Sequence, residues 1–307
     1  MTTNHEPSLE PNPGPSLEPK PERSADKVGK ALNDQRFQML EDIAKELKSV
    51  VVFPTYFDAA LRLRKALQDP DIPIERIASL VSVEPLVAAK LMNLANSALY
   101  SPDGKPVRNL PAAITRLGVE LVRTTAVAIA MNQILRAKDM ASFGDLTYAL
   151  WQHSIKSAAI ARLLARTYTR INPDEALLAG LVHDLGAFYM LYRAAQYSEL
   201  RDRPESVKHL IMQWHEGIGV TLLGVLGMPA EIIQATIDHD HPRAIPATIQ
   251  SLSDVVYVAN ILAGAHFEWL YQDIDPAIAE ISIARENFAD LLPQIEADTL
   301  EMQAVFA

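Results

Sequence analysis

From about residue 30 onward, apolar side chains recur three or four positions apart, and no sustained alternation of apolar and polar residues appears. That spacing predicts helices and no sheet. Phe37, Leu40, Ile43 and Leu47 put one apolar stripe on a first amphipathic helix. The apolar run Val50 to Phe53 meets Pro54, which stops it. Phe57, Leu61 and the stretch 63–67 predict another helix, ended by Asp69 and Pro70. Residues 74–82 and 85–98 predict a helix pair about a tight turn, with Pro85 at a first helical position where its missing N–H costs little. A short helix over 111–117 closes on Gly118, and a longer one covers 119–135. Gly144 breaks the pattern near mid-chain. Beyond it, helices are predicted over 150–168, 175–192, 206–226, 230–239 and 246–266, followed by an acidic segment from Pro276. The fold class is all-α.

Composition narrows what such a fold can do. The 307 residues are 49% hydrophobic and 21% charged, enough apolar material for a core. Residues 1–30 stand apart as a Pro/Glu-rich tail in which Pro7-Ser-Leu-Glu-Pro11 returns as Pro15-Ser-Leu-Glu-Pro19. It is expected to be disordered and to act as a tether. A formal net charge of −10 argues against a nucleic-acid binder, which needs a basic face. The 74–98 helix pair has the outline of a helix-turn-helix. Its second helix, however, offers Leu86, Val87, Leu91, Met92 and Leu94 with Lys90 as the lone cation, so core packing is the expected use. The absence of cysteine excludes disulfides, thiolate metal sites and cysteine nucleophiles. With no signal-peptide pattern and no apolar run of membrane-spanning length, the expected location is the cytoplasm.

The chemistry concentrates after Gly144. Only His5 precedes it, whereas His153, His183, His209, His215, His239, His241 and His266 follow. His183 and Asp184 sit inside the apolar stretch Gly180-Leu-Val-His-Asp-Leu-Gly186. Burying an adjacent imidazole and carboxylate is costly unless they are paired with each other or with a ligand. Both are ligands that divalent metals accept. Neighbouring helical positions point about 100° apart, so the two side chains can approach one ion or flank two. A buried histidine bonded to its neighbour also fits the dipeptide alone. With His153, His215 and His239 on other helices, the alternatives are a metal cage between helices or hydrogen-bonded polar core groups. Lys156, three residues after His153, could steady a phosphate or lie solvated on the surface.

The order of these motifs resembles the HD superfamily of metal-dependent phosphohydrolases and, more closely, the HD-related output domain (HDOD) family. The resemblance covers about residues 45–265. Its first half is carried by Phe53-Pro54, Leu67-Gln-Asp-Pro-Asp-Ile-Pro73, Ile77-Ala-Ser-Leu-Val-Ser-Val-Glu-Pro85, Leu91-Met-Asn-Leu-Ala-Asn-Ser-Ala98 and Ala113-Ile-Thr-Arg-Leu-Gly118. Trp151-Gln-His-Ser154, the His183-Asp184 stretch and Leu226-Gly-Met-Pro229 carry the second half. It implies a two-lobe helical domain with a degenerate HD-type bundle. The N-terminal lobe would span 31–144, the HD-like lobe 145–270 and a C-terminal helical segment 271–307.

The implied metal ligands are His153, His183, Asp184, His215 and His239, for iron, manganese or zinc if the site is occupied. Asn260 stands where the resemblance expects the last carboxylate, and His239-Asp240 stands where some HD phosphodiesterases carry paired histidines. An amide oxygen is neutral and a weaker ligand than a carboxylate. Asp254, on another face of the same predicted helix, is a poor substitute. The implied function is a bacterial signal-transduction output module without catalysis, acting through contacts with a signalling protein partner. The alternative is a metal-dependent phosphohydrolase or phosphodiesterase. No catalytic residue is assigned, no nucleic acid or membrane is expected as partner, and a cyclic nucleotide stays open as a ligand.

Overall fold

The computed structural model describes residues 30–48, 63, 66–67, 69, 71–135, 138–265 and 279–306. Residues 1–29 of the predicted 1–30 tail, the stretch from Val50 to Phe53, most of the helix at 57–67, and His266 lie outside the described residues, whereas Lys30 already begins a helix. Every regular element among the described residues is helical, with no strand.

The N-terminal half builds α1 (Lys30–Lys48), α2 (Ile74–Ser82), α3 (Pro85–Ala95), α4 (Leu110–Leu117) and α5 (Val119–Leu135). Helices α2 to α5 pack on one another, and local chemistry sets their ends. Asn109 accepts a hydrogen bond from the Ala112 amide at the start of α4, and Gly118, at φ +79°, closes it. Helix α3 ends at Ala95, three residues before the expected end. The Asn96 amide group turns out to donate to Met92 O and Val107 O, tying the following loop to the helix.

The second half opens with a short 3₁₀ helix (Lys138–Phe143) and α6 (Gly144–Tyr168), which begins six residues earlier than its apolar spacing predicts. Around it lie α7 (Pro173–Val182), α8 (Leu185–Ala194), α9 (Ser198–Arg201), α10 (Pro204–Val225), α11 (Ala230–Ala235) and α12 (Leu252–Ala263). Helices α13 (Ala279–Asn287) and α14 (Leu292–Phe306) complete the described chain. Helix α6 is buried nearly all round, because α7, α12 and α14 cover it from different sides.

Two apolar clusters result. The larger runs through both halves, from Leu32 to Phe306, and the smaller joins α6 and α12 to Phe288, Leu291 and Ile295. Helix α1 lies on the second half, against α8, α9 and α10. There Glu46 accepts from Tyr189 Oη at 2.6 Å and Arg193 Nη1 at 2.7 Å, while Tyr197 donates to Asp42 at 2.6 Å.

Three predicted helices are split or shortened, two of them beside candidate site residues. The helix expected over 175–192 splits at His183 and Asp184 into α7 and α8. The one expected over 230–239 ends at Ala235, and a turn follows in which Asp238 takes φ +59°. The one expected over 246–266 starts only at Leu252, where Ser251 and Asp254 form a reciprocal capping box. Apolar residues continue on both sides of these breaks, so periodicity alone does not reveal them. Asp254, set aside above as a ligand, is the capping carboxylate.

Candidate metal centre

Two glycines let the site form. A Cβ on Gly180 would meet Ser157 O at 2.8 Å and Ala161 Cβ at 2.9 Å, so α7 can approach α6 only with glycine there. A Cβ on Gly186 would meet His215 O at 1.9 Å, which imposes the same demand on α8 against α10. His183 and Asp184 sit between these two close crossings. Because they lie at the break between α7 and α8, their side chains converge on one space.

That space receives side chains from four places in the chain. His153 comes from α6, His183 and Asp184 from the α7–α8 break, His215 from α10, and His239 and Asp240 from the turn after α11. All five expected metal ligands are therefore brought together. His153 and His183 face each other with Nε2 atoms 3.2 Å apart, and His215 and His239 do so at 3.3 Å. Asp184 lies between the pairs. Its Oδ2 is 3.4 Å from His183 Nε2 and 3.7 Å from His153 Nε2. Its Oδ1 is 3.2 Å from His239 Nε2 and 3.5 Å from His215 Nε2.

The outer ring nitrogens are spoken for. Nδ1 of His183, His215 and His239 each lies 2.8 Å from a backbone carbonyl, of Gly180, Ile211 and Thr236 respectively. These carbonyls can only accept, so each Nδ1 carries its proton and donates. In the neutral rings the Nε2 lone pair then points inward, the ring setting found behind metal-bound histidines.

The charge distribution is uneven. Burial dominates at His183 and pushes its pKa down to about 4, against the opposing pull of Asp184. At His239 burial works the same way, but Asp240 and Asp184 together outweigh it and raise the pKa to about 10. His215 is likewise raised despite burial, through its hydrogen bond to Asp240 and the two nearby carboxylates. Asp184 is buried too, which opposes ionisation, yet the imidazoles of His183, His239 and His215 hold its carboxyl well below the ordinary range.

This donor set fits a divalent metal. Two imidazole nitrogens bound at about 2.0–2.1 Å to one tetrahedral ion stand roughly 3.3 Å apart, close to both observed pairs. The ligand atoms fall into two groups sharing Asp184, one with His153 and His183, the other with His215, His239 and Asp240, and within each group all lie within 4.8 Å of one another. Such a cage would hold manganese, iron or zinc, which accept mixed nitrogen and oxygen donors.

Two neighbours bear on what the cage can do. Lys156 Nζ donates to Ala263 O at 2.9 Å, at the end of α12. Asn260, 1% exposed, lies against the cage, where its Nδ2 donates to His239 O and Asp240 Oδ1. Asp240 is the site residue that ligand matching alone passes over. Its signal was present in the sequence, since His239-Asp240 repeats the His183-Asp184 dipeptide.

A family model for the HDOD domain matches residues 53–242. An uncharacterized protein of Treponema pallidum (strain Nichols) is 23% identical over 244 residues, 75% of this chain and 45% of its own. The chain thus spans about half the length of that curated relative. A Shewanella amazonensis SB2B protein, provisionally named a metal-dependent phosphohydrolase, superposes with a TM-score of 0.69 at 23% identity, over 89% of this chain and 100% of its own. An HDOD domain protein of unknown function from Geobacter sulfurreducens gives 0.56 at 21%, over 89% and 98%. A protein from Marinobacter aquaeolei VT8, provisionally named a signal transduction protein, gives 0.56 at 20%, over 90% and 66%. At such identities these structures establish the fold.

Proposed function

Because the chain belongs to the HDOD domain family, we propose that it is a regulatory signal-transduction module that holds a divalent metal in its histidine cage and does not turn over a substrate. The observation that carries this is the closure of the cage. The side chains of His153, His183, Asp184, His215 and His239 are at most 5% exposed. Metal-assisted hydrolysis needs the ester to reach a metal-bound water and needs groups that stabilise the developing negative charge. Here the nearby Lys156 ammonium is hydrogen-bonded to a helix-terminal carbonyl. A buried ion would instead cross-link α6, the α7–α8 break, α10 and the turn after α11, making their arrangement depend on metal. That arrangement is what a signalling protein partner would read.

A second reading, a metal-dependent phosphohydrolase, is favoured by the number of imidazoles still converging and by their carbonyl-fixed tautomers. One experiment separates the two. Untagged protein is analysed for bound metal and then assayed with bis(p-nitrophenyl) phosphate and cyclic dinucleotides. The regulatory reading expects retained metal, no turnover, and changed partner binding or stability in His183→Ala. Metal-dependent turnover abolished by His183→Ala would overturn it in favour of the hydrolase.

A further inference from the structure

We propose that Asp240 is a metal ligand and Asn260 its positioning residue, so that His215, His239, Asp184 and Asp240 form a complete four-ligand site for one divalent cation of the manganese, iron or zinc class. This rests on the reading above that the cage holds metal. Expected from the sequence is a site weakened by an amide at position 260. The geometry shows a carboxylate arriving from elsewhere. Asp240 Oδ2 lies 3.3 Å from His215 Nε2 and 3.8 Å from His239 Nε2. The pair itself is 3.3 Å apart, and Asp184 Oδ1 lies 3.2 Å from His239 and 3.5 Å from His215. Five edges of the four-atom figure therefore run from 3.2 to 3.8 Å, and the sixth is under 4.8 Å. A tetrahedral ion with ligands at about 2.0–2.2 Å requires edges of roughly 3.3–3.6 Å. Two carboxylates also match the charge of one dication, which the group of His153, His183 and the shared Asp184 does not.

Asn260 explains why Asp240 points inward. Its Nδ2 lies 2.9 Å from Asp240 Oδ1 and 3.0 Å from His239 O, two acceptors that together identify the nitrogen. The amide thus engages one carboxylate oxygen and the backbone of the adjoining histidine, leaving Asp240 Oδ2 turned to the rings. An aspartate at 260 could not make these bonds, because both partners are acceptors. The amide is in this view suited to its place: the carboxylate has moved to position 240, and the residue at 260 orients it.

The test uses the full, untagged chain, stripped of metal and titrated with zinc(II) by calorimetry and with cobalt(II) by visible absorption. Asp240→Asn is expected to weaken the tighter zinc binding by more than about 100-fold, and Asn260→Ala by about 10–100-fold. In Asn260→Ala the cobalt ligand-field bands shift, which a purely structural role in α12 would not produce. A zinc-edge anomalous map of the parent protein is expected to place an ion about 2.0–2.2 Å from Asp240; it decides the question alone if Asp240→Asn does not fold. Asp240→Asn binding zinc as tightly as the parent, or an ion in the cage not ligated by Asp240, overturns this proposal and leaves the metal-holding reading intact. A parent protein that takes up neither metal removes both.

Discussion

The two histidine pairs are built from the same parts and behave differently. His153 with His183, and His215 with His239, face each other at nearly equal distances across one shared carboxylate. Burial prevails at His183, which is kept neutral to about pH 4, whereas His239 stays charged to about pH 10. The largest part of the difference is Asp240, whose charge acts on His239 but not on His183; a hydrogen bond from His239 to Asp184 adds to it, while neighbouring imidazoles depress His183 further. Desolvation disfavours a charged imidazole in both places, and a second carboxylate reverses the outcome in one. Burial and ligand type therefore do not set the state of a buried site by themselves; the local count of charges does.

The sharpest way to break the comparison is to remove what the pairs share. Asp184→Asn takes one partner from a buried charge cluster and is expected to destabilise the metal-free protein by about 3–5 kcal/mol. Metal retention should fall for both groups. Urea unfolding and elemental analysis report the two effects, and retention of metal at the parent level would contradict the shared role.

The glycines test each side separately. Gly186→Ala drives a methyl into His215 O, a backbone atom with nowhere to go, under the second pair. Gly180→Ala meets Ser157 O and Ala161 Cβ less severely, near the first. A loss of about 3 kcal/mol or more is expected for Gly186→Ala and about 1–3 kcal/mol for Gly180→Ala, measured by chemical unfolding.

Asn260→Asp sets a carboxylate against Asp240 Oδ1 and His239 O, both acceptors. The metal-free protein should lose about 1–3 kcal/mol, seen as a lower Tm. An unchanged Tm would mean that the donor role of Asn260 carries little energy.

The pH dependence of the metal-free fold should show both pairs at once. His239 has a folded pKa above the unfolded value of roughly 6.5, so its stabilisation is complete below that pH and is lost as pH rises towards about 10. His183 has the opposite sign. Stability is complete above about 6.5 and declines as pH falls through about 4. Unfolding curves across this range should peak near neutrality, and His239→Gln should flatten the alkaline limb most, with a smaller change in the acid limb because the His239 charge also helps to depress His183.

Much of this was legible in the chain itself. Periodicity marks the helices, Pro85 and Gly118 mark ends, and the His183-Asp184 motif points to the cage and the family. The glycines of that motif, Gly180 and Gly186, are two positions where helices come together backbone to backbone. Less legible were the interruptions, because an apolar run reads alike whether its helix continues or breaks and resumes at an angle.

What the sequence by itself determined is the all-helical class, since helix formation follows from residue type and local spacing, and, through the family resemblance, the five candidate ligands that converge. Tertiary structure alone decided that His183 and Asp184 stand at a break, that α1 docks on the second half, and that Asp240 reaches a ring while Asn260 holds it there. The reason is physical: those facts depend on which groups meet across 20 residues or more of intervening chain, and no local spacing encodes the direction in which a turn delivers its carboxylate.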